Sequence, residues 1–382
     1  MVNLPEIDRE LEACIQCGYC VPVCDTWNQY PWESVSPRGK VYYLRQMKHK
    51  SPMDLLLHRE VGLDEEFVDA LYQCTVCGAC ETVCHVGIRF VEFWEKVRKW
   101  VVEEGAGPMP AHRKFHERIS KVMNPYGERP DERIDWAPEG ARERADMIFF
   151  AGCTASFRTS EIALAGFKVL REAGLDIGLL GEDEWCCTSP TLRVGLTDLS
   201  YRAAENNITE VERRGARTMV TTCAGCYKTS LHDWPVYYAR PSFDVRHFSQ
   251  LAEELIDDGT LKPGRMDRRV TYHDPCHLGR HAGVFESPRK VIRSIPGIEL
   301  VEMRRNRMNS QCCGAGGGYK SQYGDLAVNV AARRIEQALE AGADTVITCC
   351  PFCVVNLRQG AEQLGEDIEV RDLAEVLLES IS

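Results

Sequence analysis

The sequence predicts an α+β chain of several domains: an α-helical N-terminal part, followed by two duplicated α/β domains. Three observations predict this. Two cysteine runs with the same spacing, C-x2-C-x2-C-x3-C, occupy the first hundred residues, at Cys14, Cys17, Cys20, Cys24 and at Cys74, Cys77, Cys80, Cys84. A series of five further cysteines then occurs twice, at offsets of 123, 126 and 127 residues, as a duplication with small insertions would leave it. Finally, the second part alternates short apolar runs with helical stretches, a pattern that builds parallel sheets.

The chain has 382 residues, 19 of them cysteine. That length suffices for sizeable cores without covalent staples, so a disulfide scaffold is the weaker reading of so many cysteines. Metal binding is the stronger one. The opening MVNLPEIDRELEA is polar and acidic and does not predict a secretory leader. No apolar run approaches the roughly 18 residues of a membrane span. A formal charge of −11 argues against nucleic acid as a partner.

The first module is expected over residues 1–105. In runs of this spacing, three close thiolates hold three corners of a [4Fe–4S] cube and the fourth cysteine reaches across to the other cube. Cys14, Cys17, Cys20 and Cys84 are therefore assigned to one cubane cluster, and Cys74, Cys77, Cys80 and Cys24 to the other. Gly18 and Gly78 permit the tight turns. Two zinc sites are the competing reading, disfavoured by the matched double run. Asp25 and His85 follow the fourth cysteines, where small ferredoxins often carry proline. The segment LLLHREVGLDEEFVDALYQC between the runs has helical apolar spacing, so a helical ferredoxin is expected. Residues 106–145, with NPYGERPDERIDWAPEG, read as a linker or surface loop.

The first α/β domain is expected over 146–262 and the second over 263–382. Cys153 follows the strand MIFFAG, Cys186 and Cys187 come next, and Cys223 and Cys226 follow RTMVTT. In the second series Cys276 follows RRVTYHDP, then come Cys312 and Cys313, and Cys350 and Cys353 follow DTVIT. FDVRHFSQLAEELIDDG and IEVRDLAEVLLESIS also match, with Arg246 opposite Arg371. Cysteines just beyond strand carboxyl ends lie where open α/β sheets place ligands. The run Gly314, Gly316, Gly317, Gly318 reads as a flexible turn, since it lacks the P-loop lysine and does not follow a strand. The arginines Arg280, Arg304, Arg305 and Arg307 read first as a solvated basic face, and second as a receptor for an anionic substrate tail.

The pattern C-x(31–39)-C-C-x(35–36)-C-x2-C resembles the CCG motif of the heterodisulfide reductase family, as do HDPCHLGRHAGVFESPR, QCCGAGGG and SPRGK. The likeness spans nearly the whole chain and extends to the architecture of the family's D subunits, which fuse a two-cubane module to two CCG domains. Iron–sulfur subunits serving glycolate oxidase are more distant kin. The resemblance implies two noncubane [4Fe–4S] clusters, one on Cys153, Cys186, Cys187, Cys223 and Cys226, the other on Cys276, Cys312, Cys313, Cys350 and Cys353. Cys349, aligned with Thr222, is expected to be a spectator, the alternative being a redox-active or cluster-adjacent thiol.

Many relatives that serve flavin dehydrogenases have lost cysteines from one copy, whereas both copies are complete here. The expected activity is therefore that of an oxidoreductase acting on a disulfide, the cubanes relaying single electrons and the two noncubane clusters each capturing one sulfur. His273, His277 and His281 read first as structural residues and second as candidates for protonating the product thiolates. The alternative is an electron-transfer subunit of a lactate, glycolate or glycerol 3-phosphate dehydrogenase, or of a quinone-linked membrane complex. Expected partners are a disulfide substrate and other redox subunits, either a membrane cytochrome b or a flavoprotein or hydrogenase-type donor. The expected setting is an anaerobic cytoplasm, compatible with a peripheral seat on a membrane complex.

Overall fold

The structure, a computed structural model, describes residues 4–49 and 61–381. Among them no helix is long and apolar enough to cross a membrane. The first residues of the helical segment expected between the cysteine runs, 55–60, lie outside the described residues. Its remainder forms the helix Glu65–Tyr72, N-capped by Asp64, whose carboxylate accepts the Phe67 N–H at 2.7 Å.

The described residues of the N-terminal part form helices and loops without a strand, with helices at Asp8–Ala13, Pro37–Lys48, Glu65–Tyr72 and Phe90–Glu103. Phe90–Glu103 buries Phe90, Phe93, Trp94, Val97, Trp100 and Val101, the i, i+3, i+4, i+7 face of a packed helix. The SPRGK segment opens Pro37–Lys48. Ser36 caps it by accepting the Gly39 N–H at 2.8 Å, and Pro37 occupies the first turn. A Cβ at Gly39 would lie 1.8 Å from the Glu33 carbonyl, so this turn closes only around glycine. Lys40, next to it, is buried and donates to the Ala70 carbonyl at 3.1 Å.

Residues 106–145 are not the irregular linker their polarity suggests. They contain the helix Pro110–Val122, which buries His112, Phe115 and Ile119, and the 3-10 turn Pro130–Ile134, which buries Arg133. The charges that made the segment read as solvated sit between these apolar positions, on the outer face. His112 donates Nε2–H to the Gly318 carbonyl at 2.9 Å, tying this segment to the second α/β domain. Burial holds its imidazole down at about 4. The folded protein therefore takes up this proton later than the unfolded chain, and stability complete above about pH 6.5 falls as pH drops from 6.5 towards 4, by about 3 kcal/mol in all. Denaturant midpoints between pH 7.5 and 5 are expected to fall less steeply in His112→Gln than in the parent.

The rest is two α/β domains of one design. Strands β1 (Met147–Phe149), β2 (Ile177–Leu179), β3 (Thr218–Thr221) and β4 (Asp244–His247) form a parallel sheet in the order β2-β1-β3-β4. Strands β5 (Arg268–Tyr272), β6 (Ile298–Leu300), β7 (Thr345–Thr348) and β8 (Glu369–Asp372) repeat it as β6-β5-β7-β8. The repeat extends to register, with Met147 opposite Thr218 in one sheet and Val270 opposite Thr345 in the other.

The domains pack reciprocally. Helix Ser160–Glu172 meets Leu373–Ile381, and its counterpart Glu286–Ser294 meets Phe248–Asp257, the counterpart of Leu373–Ile381. A contact that exchanges equivalent partners in this way describes a pseudo-two-fold axis. One apolar core, including Ile162, Leu251, Val291 and Leu373, runs across both domains.

Candidate iron–sulfur centres

Each N-terminal cysteine run wraps a concave site by the same backbone device. Gln16 and Val76, between the first two cysteines, adopt φ of 56° and 52°, and Gly18 and Gly78, after the second, adopt 83° and 79°. Non-glycine residues rarely take this region, and its repetition turns successive peptides around a common centre. Cys14, Cys17, Cys20 and Cys84 line one cavity, with Arg38 and Phe90. Cys24, Cys74, Cys77 and Cys80 line a second, with Lys40 and Trp94. The fourth cysteine of each run thus lies beside the first three of the other. Burial raises the Cys20 and Cys24 thiols to about 11, which disfavours thiolates unless a cation accompanies them. Four soft donors around one space fit an iron–sulfur group of the kind the spacing implies.

The later cysteines form two continuous thiol chains. In the first α/β domain, hydrogen-bonding reach links Cys153 to Cys186, Cys187 to Cys226, and Cys226 to Cys223, with Cys186 and Cys187 adjacent. In the second, Cys276 reaches Cys312, Cys313 lies 3.2 Å from Cys353, and Cys353 reaches Cys350. Strand ends set this up, since Cys223 follows β3 and Cys350 follows β7. The paired cysteines share a turn as well. The N–H groups of Thr188 and Gly314 donate to the Cys186 and Cys312 sulfurs at 3.4 and 3.3 Å, both residues with left-handed φ. Gly152, at φ 76°, leaves room for the Cys226 sulfur, which a Cβ would approach to 2.8 Å. Five converging thiols per domain, all buried except the half-buried Cys223, fit a cluster more open than a cube.

The sets also touch each other. Cys77 is within hydrogen-bonding reach of Cys312, and Cys223 of Cys350. Cys80 and Cys20 are electrostatic neighbours. A trail of thiols therefore runs from the first N-terminal set to the second, on to the second α/β domain and across the pseudo-two-fold axis to the first.

The N-terminal module is docked by residues whose roles the sequence does not disclose. Asp25, in the place of the usual proline, is 3 % exposed and accepts the Cys312 N–H at 2.7 Å while pairing with Arg305 at 2.8 Å. Arg280 donates to the Cys77 carbonyl at 2.8 Å and the Ser310 carbonyl at 2.6 Å. Arg307 pairs with Glu286 at 2.6 Å. Of the four arginines considered as a solvated face or an anion receptor, Arg280 and Arg305 are partly buried struts between the parts of the chain, whereas Arg307, in an exposed ion pair, and Arg304 stay at the surface. The glycine run is neither a phosphate cradle nor a flexible turn. A Cβ at Gly317 would lie 2.7 Å from the Cys74 carbonyl, so the loop is pressed against the N-terminal module.

Arg133 and Glu184 are further residues of the first α/β site. They form a 2.8 Å ion pair with side chains 2 % and 4 % exposed. Glu184 accepts the Ala151 and Gly152 N–H groups at 3.0 and 2.9 Å, and Arg133 donates to the Cys153 sulfur at 3.7 Å. No periodicity marks Arg133, which lies in a stretch of prolines and charges. Cys349 sits in the apolar core beside Tyr272, outside the thiol chains. His277 has Nδ1 3.5 Å from the Cys276 sulfur, His281 packs edge-on against the His277 ring with centroids 4.7 Å apart, and His273 lies beside Cys313 and Cys353.

Comparison with known proteins accords with this anatomy. Residues 10–88 match the 4Fe-4S dicluster domain, and residues 147–229 and 270–358 each match the CCG cysteine-rich domain. The D subunit of the dihydromethanophenazine:CoB–CoM heterodisulfide reductase of Methanosarcina barkeri is 38% identical over 97% of this chain and 94% of its own length. The B subunit of the fumarate reductase (CoM/CoB) of Methanothermobacter marburgensis is 35% identical over 97% of this chain and 72% of its own. The EtfAB:quinone oxidoreductase of Syntrophomonas wolfei is 27% identical over 96% and 58%. A solved structure of a hypothetical protein from Helicobacter pylori shares the fold, with a TM-score of 0.64 at 8% identity, covering 98% of this chain and 72% of that one. With its dicluster module, two CCG domains and near full-length identity, the chain belongs to the family of heterodisulfide reductase D subunits and is an iron–sulfur oxidoreductase of that type.

Proposed function

We propose that this chain reductively cleaves a disulfide held between its two five-thiol sites, with the N-terminal sets acting as an electron relay. The observation that carries the reading is the meeting of two complete five-thiol sets across the pseudo-two-fold axis, at Cys223 and Cys350. Breaking a disulfide takes two electrons and leaves two sulfurs to be received. When bound, two cubane and two noncubane [4Fe–4S] clusters would supply single electrons and iron as a Lewis acid for each sulfur.

The ligand assignment follows the thiol sets. Cys14, Cys17, Cys20 and Cys84 hold one cubane, and Cys74, Cys77, Cys80 and Cys24 the other. Cys153, Cys186, Cys187, Cys223 and Cys226 hold one noncubane cluster, and Cys276, Cys312, Cys313, Cys350 and Cys353 the second. The chain's own residues do the rest. Burial of nine of the ten α/β thiols excludes water from the reaction space. His277, with no partner at Nε2 among the described residues, offers a hydrogen-bonding group beside Cys276 to the substrate or its product thiol. Electrons enter at the first N-terminal set, because Cys17 alone among the nineteen cysteines is exposed. Exposed Ile15, Tyr19 and Val86 surround that entry, a surface suited to a membrane cytochrome b or a flavoprotein donor.

The likeness to the EtfAB:quinone oxidoreductase favours a second reading, in which the chain only passes electrons between a flavoprotein and another carrier. An assay with reduced viologen separates the two. Oxidation of the dye by a panel of disulfides that includes the CoB–CoM heterodisulfide is expected, with one disulfide consumed per two electrons. Absence of turnover in protein whose iron content is complete would leave the relay reading in its place.

A further inference from the structure

The two five-thiol sites have different surroundings. Phe150 and His273 are structural equivalents, since each follows the first strand of its sheet and each donates its main-chain N–H across to the neighbouring strand. Phe150 bonds the Val220 carbonyl and His273 the Ile347 carbonyl, both at 2.8 Å. Phe150 presents an apolar ring packed edge-on against Trp234, with centroids 6.1 Å apart. His273 presents an imidazole, 1 % exposed, with one ring nitrogen within 4.8 Å of both the Cys313 and Cys353 sulfurs.

The neighbours of that ring fix its tautomer. Arg334 donates Nε–H to His273 Nδ1 at 3.1 Å. A guanidinium has only donors, so Nδ1 must be the acceptor, and the hydrogen of the neutral ring resides on Nε2. Arg334 has little freedom to withdraw. It is fully buried and also donates to the Arg305 carbonyl and to Gln337 Oε1, both at 2.8 Å. Nε2 meanwhile has no hydrogen-bond partner among the described residues. A buried N–H without an acceptor is costly, and the sulfurs of Cys313 and Cys353 are acceptors at hand.

We propose that His273 is a positioning residue of the second site, donating its Nε2–H to the sulfurs of Cys313 and Cys353, and that the two sites are for this reason unequal in reduction potential. The inference rests on the reading that each five-thiol set holds an iron–sulfur group. Hydrogen bonds to cluster sulfurs favour the more negative, reduced state and raise the potential. The first site has Phe150 in the same place and lacks this bond. Electrons arriving through Cys77 and Cys312 thus first meet the site with the imidazole donor, whereas in the other site the donor to sulfur is Arg133, at Cys153.

The test is a redox titration of the iron-loaded protein, followed by electron paramagnetic resonance, on the parent and on His273→Phe and His273→Gln. Phenylalanine reproduces the first site, whereas the glutamine amide reaches about as far as Nε2 and can still donate. In His273→Phe one of the two noncubane signals is expected to shift so that its reduced-to-oxidised ratio at a fixed potential falls about tenfold, equivalent to about 59 mV for one electron. The other signal stays in place, and His273→Gln largely restores the first. Unchanged potentials in both variants, or equal shifts of both signals, would overturn the proposal.

Should His273→Phe fail to retain iron, pulsed resonance on the parent protein carrying 15N-histidine decides. A weak nitrogen coupling that disappears in His273→Gln supports a hydrogen bond. A coupling indifferent to that substitution, or one strong enough for direct ligation, refutes it. If the iron-loaded parent shows no noncubane signals, it is the cluster assignment itself that fails.

Discussion

A Cys350→Ser protein is expected to lose disulfide turnover almost completely while retaining about twelve of roughly sixteen irons, as the loss of one of four four-iron groups would leave it. Cys350 joins two sets. It completes the second thiol chain through Cys353, and it meets Cys223 of the first across the pseudo-two-fold axis. A serine hydroxyl is a harder and far less acidic donor than a thiol and does not replace it at iron. The N-terminal sets use other cysteines and lie in cavities that Cys350 does not line, so their reduction by dithionite should be unaltered. Iron analysis and the spectra of the reduced cubanes measure the two halves of this expectation. Turnover at parental rate in Cys350→Ser would show that two complete five-thiol sites are not required for the chemistry.

Arg98→Met should cause the largest loss of stability. Arg98 is fully buried in the helix Phe90–Glu103, yet its guanidinium serves all three parts of the chain. It donates to the Arg193 carbonyl at 2.7 Å in the first α/β domain and to the Gly317 carbonyl at 2.9 Å in the second. Within its own module it bonds the carbonyls of Leu71 and Cys74 at 3.0 and 2.7 Å. It also lies over the Tyr72 ring, 4.9 Å from its centroid. Methionine fills much of the volume but orphans these buried carbonyls, each worth about 1–3 kcal/mol, so a loss of about 4 kcal/mol or more is expected. The denaturant midpoint checks this. Arg98→Lys, which keeps the charge and part of the bonding, should recover a portion.

The bond from Arg98 to Gly317 explains why the glycine run reads as a loose turn in the sequence and is not one. Four glycines in five positions satisfy the composition of such a turn, and nothing in the chain's local pattern reveals that another domain presses on them. The same holds for Asp25. Its position after Cys24 is visible as a departure from proline, but its reason, the Cys312 N–H 287 residues further on, is a long-range contact. Arg133 is less visible still, because prolines and charges surround it in a segment with the composition of a linker. The helix Pro110–Val122 does carry a signal in the spacing of His112, Phe115 and Ile119, which the polarity of the segment masks.

The sequence by itself determined the parts: two cysteine runs that wrap concave sites, a duplicated five-cysteine series, and the strands that end just before its members. These are local matters of spacing and periodicity, where residues a few positions apart decide a turn or a strand. Only the tertiary structure decided how the parts meet. It placed Cys77 against Cys312 and Cys223 against Cys350, made struts between the parts of the chain out of Arg280 and Arg305, and set His273 and Phe150 in equivalent positions beside unlike sites. The physical reason is that burial and partner choice depend on which surfaces pack together. A charge or a glycine has the same local signature whether it faces water or seals an interface.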